Sequence, residues 1–284
     1  MVGGSDRGFA QTVPWSMRFR LACGPIPLLA LAFASCGGQA TYPDSRQPQV
    51  EEHTGYRLEY VAADRAVAQS LVPMIERGRQ TAEQFFATTY SSAFVIKVIP
   101  DRASLTAHWR VAFNQPNFET QCWMIAGGWA TEFDILSPSV WRTESCGHDG
   151  SNSSHVANVV GHELVHVLHG QRNSAFLSLL GSATPWIAEG MATFASGQLA
   201  AEYAASARAT VAGGVAPTTF AALWASPANY ALAGSVFAYI HQRFGVETIR
   251  RLLTVRSEAE LLATLGTDAP TLLGDWRAWV LAQP

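Results

Sequence analysis

The chain has 284 residues, 48% hydrophobic and only 14% charged, with a formal net charge of −3 and a pI near 6.2. So much apolar content excludes a mainly disordered chain, and the acidic balance argues against nucleic acid as a partner, which would need a basic face. Four cysteines are too few for a disulfide scaffold, and the length suffices for one large domain with a substantial core.

The amino terminus reads as an address. Arg18 and Arg20 precede an apolar run, Leu21 to Ala34, that ends in Ala-Ser-Cys-Gly-Gly. A basic segment, a short apolar segment and a small-residue cleavage site make an export signal, and the run is too short to span a bilayer. Met17 stands just before the two arginines, so residues 1–16 read as an over-extended start or a long basic segment. Phe33-Ala34-Ser35-Cys36 resembles a bacterial lipobox, which would make Cys36 the lipid-bearing first residue of the mature chain; simple cleavage after Ala34 is the alternative. Either way the expected location is outside the cytoplasm: the bacterial envelope, lipid-anchored to the membrane, or secreted. The expected division is a signal region over 1–36, a flexible tether over 37–55, rich in Gly and Pro, and a single domain over 56–284.

The pattern from Ala62 to Thr88 is helical, with Leu71, Ile75, Phe85 and Phe86 on one stripe and Pro73 expected to kink the helix or start a second one. Phe94-Val-Ile-Lys-Val-Ile99 reads as a strand, and residues 101–112 as a short helix after Asp101. Cys122 to Leu136 reads as two strands around Gly127-Gly128, and 143–154 as a polar loop. With Cys23 lost and Cys36 lipidated, Cys122 and Cys146 are the expected intramolecular disulfide in an oxidising compartment, and two free buried thiols are the alternative. From about Ser154 onward the chain is helical in character. The sum is an α+β unit, its small mixed sheet early and its helices late.

Gly161-His162-Glu163-Leu164-Val165-His166 contains H-E-x-x-H on a segment that Ser154 can cap and Gly170 can stop. His162 and His166 lie one helical turn apart, so both imidazoles can hold one ion. A catalytic zinc needs a third protein ligand and an open position for water. Glu189, inside Thr184-Pro-Trp-Ile-Ala-Glu-Gly-Met-Ala-Thr-Phe194, sits on a second apolar helix that Thr184 and Pro185 begin, and is the expected third ligand. Glu163 would then take a proton from the attacking water and pass it to the leaving amine. His155 and His169 fall near the same face and are rivals as ligands or polar lining. The spacing after His166 lacks the further His of metzincins.

His162-Glu163-x-x-His166 followed by Trp186-x-x-Glu189-Gly190-x-Ala192 resembles the gluzincin class of zinc metallopeptidases, which includes thermolysin, and within it a bacterial envelope branch. The likeness extends over roughly residues 56–260, including Tyr230-x-x-Ala-Gly-Ser-x-Phe-x-Tyr-Ile-x-x-x-Phe-Gly245. It implies a zincin-like fold, Zn2+ held by His162, His166 and Glu189, and Glu163 as catalytic acid/base. It further implies residues 125–133 as an edge strand that pairs with an extended peptide or protein substrate, and Tyr230 as oxyanion stabiliser, with Tyr239 as the lesser rival. Two departures stand out. The acid that orients the first His in thermolysin-like members is replaced by Thr193, and the amine-binding motif of the aminopeptidase branch is absent, which favours an endopeptidase. The alternative is a non-catalytic envelope lipoprotein that keeps the zincin fold as a binding or scaffold module.

Overall fold

A computed structural model describes residues 44–181, 184–214 and 216–283. The segments read as an export signal and a lipobox, with Cys36, lie outside the described residues. Among these residues no helix is long and apolar enough to cross a membrane.

The chain is α+β, with a five-stranded mixed sheet in its first half and helices filling the second. β1 (Pro48–His53) and β2 (Tyr56–Val61) form an antiparallel hairpin, followed by the helix α1 (Arg65–Phe86), β3 (Phe94–Ile99), α2 (Arg102–Ala112), β4 (Ala126–Trp129) and β5 (Glu132–Leu136). The strand order is β1-β2-β3-β5-β4; β3 runs parallel to β2 and β5, and β4 returns antiparallel to β5 as the free edge. α3 (Trp141–Glu144) leads to α4 (Ser153–Arg172), α5 (Phe176–Gly181) and α6 (Pro185–Ala195). A single π-helical turn, Leu199–Tyr203, links α6 to α7 (Ala204–Ala212). The remaining helices are α8 (Phe220–Trp224), α9 (Asn229–Phe244), α10 (Val246–Leu252), α11 (Glu258–Leu265) and α12 (Ala269–Ala282).

Several boundaries differ from the sequence reading, each for a physical reason. Residues 48–53 are not tether but an edge strand, because Tyr56, Leu58 and Tyr60 of β2 bury one face and leave hydrogen-bonding groups that β1 satisfies. Pro73 neither ends nor divides α1: it has no N–H to donate to the Gln69 carbonyl, and both residues stand on the exposed side of the helix. Gly127 and Gly128 lie within β4, and the turn to β5 is at Ala130-Thr131. The cap of α4 is Asn152, whose Oδ1 accepts from the backbone N–H of Ser154 and of His155, rather than Ser154 itself. α4 also runs through Gly170 to Arg172. Gly170 is a point of close approach, where a Cβ would stand 2.7 Å from the backbone nitrogen of Ala130.

Cys122 and Cys146 are joined in a disulfide. Beside it the Arg102 guanidinium collects the carbonyls of Gln121, Met124 and Glu144, tying the approach to β4 to the end of α3.

Two apolar clusters make up the interior. One lies between the sheet and α1, with Leu58, Ile96, Phe133 and Ile135 against Leu71 and Ile75. The other lies among α6, α9, α10 and α12, around Trp186, Phe237 and Trp276. α4 belongs to both: Val156, Val160, Leu164 and Val167 face the first, Val165 and Leu168 the second. That double burial explains a helix apolar around most of its girth, and it sets the histidine-bearing face between the two clusters.

Candidate metal centre

α4 carries His162, Glu163 and His166 into the interior, and α6 packs against it so that Glu189 meets both imidazoles. Oε2 of Glu189 lies 3.0 Å from Nε2 of His162 and 3.2 Å from Nε2 of His166. The two rings cross edge to face with centroids 4.7 Å apart, as spacing i, i+4 requires. His162, His166 and Glu189 thus offer three ligating atoms within 4.8 Å of one another, a grouping that can hold a metal ion. All three predicted ligands are brought together, on the two helices expected.

Burial alone would push the Glu189 carboxyl up, but the imidazoles of His166 and His162 hold it well below the usual carboxylate range. Burial opposes charge on His162 too, yet its bond to Glu189 and the nearby Glu163 carboxylate raise its affinity for a proton. Glu163 is pushed up, chiefly by burial, against the favourable pull of the two imidazoles. The nearby backbone N–H of Gly128 also favours the charged form, while Oε2 of Glu163 and Nδ1 of His166 are buried without a hydrogen-bond partner. Two imidazoles and one carboxylate that converge, with a second carboxylate left partly unpaired beside them, fit a divalent ion of zinc's ligand preference.

β4 reaches this centre from the sheet edge. Gly128 lies directly against Glu163, so the free side of the edge strand borders the carboxylate. Tyr230, on α9, is half-buried; its ring stands 6.0 Å from that of His162 and 5.5 Å from Trp224. Burial, then the charges of Glu189 and Glu163, raises its hydroxyl well above the ordinary phenol range and keeps it a proton donor. Tyr239 lies elsewhere, beside Trp279 and Asp275, and is no part of the centre.

The rival histidines are also placed. His169 is fully buried against Phe176 and Asn173, and burial with the neighbouring His166 pushes it down to about 3, so it is a neutral core group. His155 turns to Glu202 and His148, away from the three ligating atoms.

Thr193 does not take the orienting role that its position suggested: its hydroxyl is buried and makes no bond to His162. The partner of His162 Nδ1 is Oε1 of Gln198, at 2.9 Å, which the sequence reading missed. Gln198 in turn bonds Glu202, the second residue missed. Nothing in the pattern Ser196-Gly-Gln-Leu-Ala-Ala-Glu202 marks either residue.

A second group, His108, Glu132 and Asp134, also brings three ligating atoms within 4.8 Å on the opposite face of the sheet. There Lys97 pairs with Glu132, and Trp109 donates to Asp134 at 2.9 Å. Two acids balanced by Lys97 and His108 form a closed ion-pair cluster. The sequence matches no protein-family model and no curated protein.

Proposed function

We propose that this chain is a zinc-dependent peptidase of zincin-like architecture, an endopeptidase that hydrolyses peptide bonds. The observation that carries the reading is the convergence of His162 Nε2, His166 Nε2 and Glu189 Oε2, with the Glu163 carboxylate one residue from the first ligand and bordered by a free sheet edge. His162, His166 and Glu189 would hold the ion. Zinc bound there supplies a Lewis acid that polarises the scissile carbonyl and makes water nucleophilic at neutral pH.

The chain's own groups account for the rest. Glu163, made more basic by burial, accepts a proton from the attacking water and delivers it to the leaving amine. β4 offers backbone groups for an extended peptide, which would lie beside Glu163. Tyr230, kept protonated, donates to the oxygen that gains charge. The amino-terminal basic and apolar segments and Cys36 support export to the bacterial envelope with a lipid anchor, and the Cys122–Cys146 disulfide is in keeping with an oxidising compartment.

The test is zinc content and hydrolysis of an internally quenched peptide library, for the wild type beside Glu189→Ala. About one zinc per chain, lost with all hydrolysis in the variant, is the expected result. A wild type without zinc overturns the reading, and zinc without hydrolysis turns it toward the non-catalytic module.

A further inference from the structure

We propose that Gln198 is the positioning residue of the metal centre, and that the Glu202 carboxylate sets the direction in which Gln198 acts. The proposal rests on the zinc reading above and deepens it.

A ligand histidine needs a lone pair on the nitrogen that meets the ion, so its other nitrogen must carry the proton and have an acceptor to hold it. Gln198 is an ambiguous partner, because one end of its carboxamide accepts and the other donates. Presented to Nδ1 of His162, the oxygen fixes the tautomer that leaves Nε2 free for an ion. The amide nitrogen would fix the opposite one and close the site. Glu202 removes the ambiguity. Its Oε2 lies 3.1 Å from Nε2 of Gln198, and an ionised carboxylate can only accept, so the amide nitrogen faces Glu202 and Oε1 faces His162 at 2.9 Å.

Glu202 is itself held from two sides: its Oε1 accepts from His155 Nδ1 at 2.7 Å and from Asn158 Nδ2 at 3.0 Å. His155 then meets His148 at 3.0 Å, at the margin of a surface cavity. Every bond direction from Glu202 to His162 therefore follows from one charge. The backbone serves the same end. The π-helical turn Leu199–Tyr203 carries Glu202 back alongside Gln198, which is buried and immediately precedes that turn. His166 lacks any such support, since its Nδ1 has no partner and its ring rests on Phe176. Orientation is thus concentrated on His162.

The test is a set of zinc dissociation constants for the purified full chain, by competition with a chromophoric chelator, with circular dichroism to verify the fold. Gln198→Leu removes the acceptor. Glu202→Gln leaves two amides that no longer dictate each other's direction. Each should weaken zinc binding roughly 10- to 100-fold, the usual cost of losing a partner behind a ligand histidine. The exchange Gln198→Glu with Glu202→Gln keeps every donor opposite an acceptor and should return affinity to near wild type, which a merely structural role for either residue would not predict. Wild-type affinity in a folded Gln198→Leu, or no recovery in the exchanged pair, overturns the proposal and leaves the zinc reading standing. A wild type that binds no zinc overturns both. Should Gln198→Leu fail to fold, Glu202→Gln against the exchanged pair decides the matter.

Discussion

The backbone of Gly128 touches that of Glu163: a Cβ on Gly128 would stand 2.5 Å from the Glu163 carbonyl oxygen and 3.2 Å from its Oε2. The edge strand and the histidine-bearing helix are therefore in contact at the point where both serve the proposed chemistry. Gly128→Ala should cost about 1–3 kcal/mol, because neither backbone can yield without moving its whole element. Gly274 in α12 has open space around it and is the control, since Ala there should be neutral or stabilising by about 0.5–1 kcal/mol. Urea unfolding of the two variants decides, and equal stability would show that the close approach is relieved cheaply.

Glu163→Gln keeps the volume while removing the proton acceptor. Turnover should fall by roughly 10²- to 10⁴-fold with zinc content unchanged. Undiminished hydrolysis would remove Glu163 from the mechanism.

The ion-pair cluster across the sheet predicts a pH dependence of stability. Bonds to Asp134 and Glu132 raise His108 from its ordinary value to about 9, although burial and Lys97 oppose. A group that binds its proton more tightly when folded stabilises fully below its unfolded pKa, near 6.5, and loses that contribution as pH climbs through about 9. Wild type should therefore exceed His108→Gln in stability most clearly below pH 6.5, and the gap should close toward pH 10. Denaturant midpoints across that range provide the check; a gap that widens with pH contradicts the assignment.

Reduction of the Cys122–Cys146 bond, or its replacement by two serines, should lower stability by about 3 kcal/mol in the chain-entropy picture, given a sequence separation of 24. The loss should show as a lower denaturant midpoint, with no change in the zinc content proposed for His162, His166 and Glu189, a grouping that includes neither cysteine.

What could be read in advance follows from how local each signal is. His162 and His166 were legible because one turn of helix fixes their relation, and Glu189 because a carboxylate amid Trp186, Ile187 and Met191 has no business in a buried helix without a partner. α1, β3 and α2 followed from period and turn residues. Gln198 and Glu202 were not legible, since their partnership depends on one wide turn of backbone that no residue pattern announces. Gly128 misled for another reason. Glycine serves tight turns and close contacts alike, and only the tertiary neighbour, here Glu163, tells them apart. β1 escaped notice because Pro48–His53 is nearly all polar, and an edge strand takes its identity from the strand it joins.

Because α4 lines both apolar clusters, its amides should exchange with solvent only when the whole molecule opens. An ion held by His162 and His166 would then act as a ligand of the entire fold. At a thousand times its dissociation constant it would add about 4 kcal/mol to global stability, protecting Trp276 at one end as fully as Ile96 at the other. Loss of such an ion would lower the resistance of the whole fold to heat and to proteolysis, and not only empty one site.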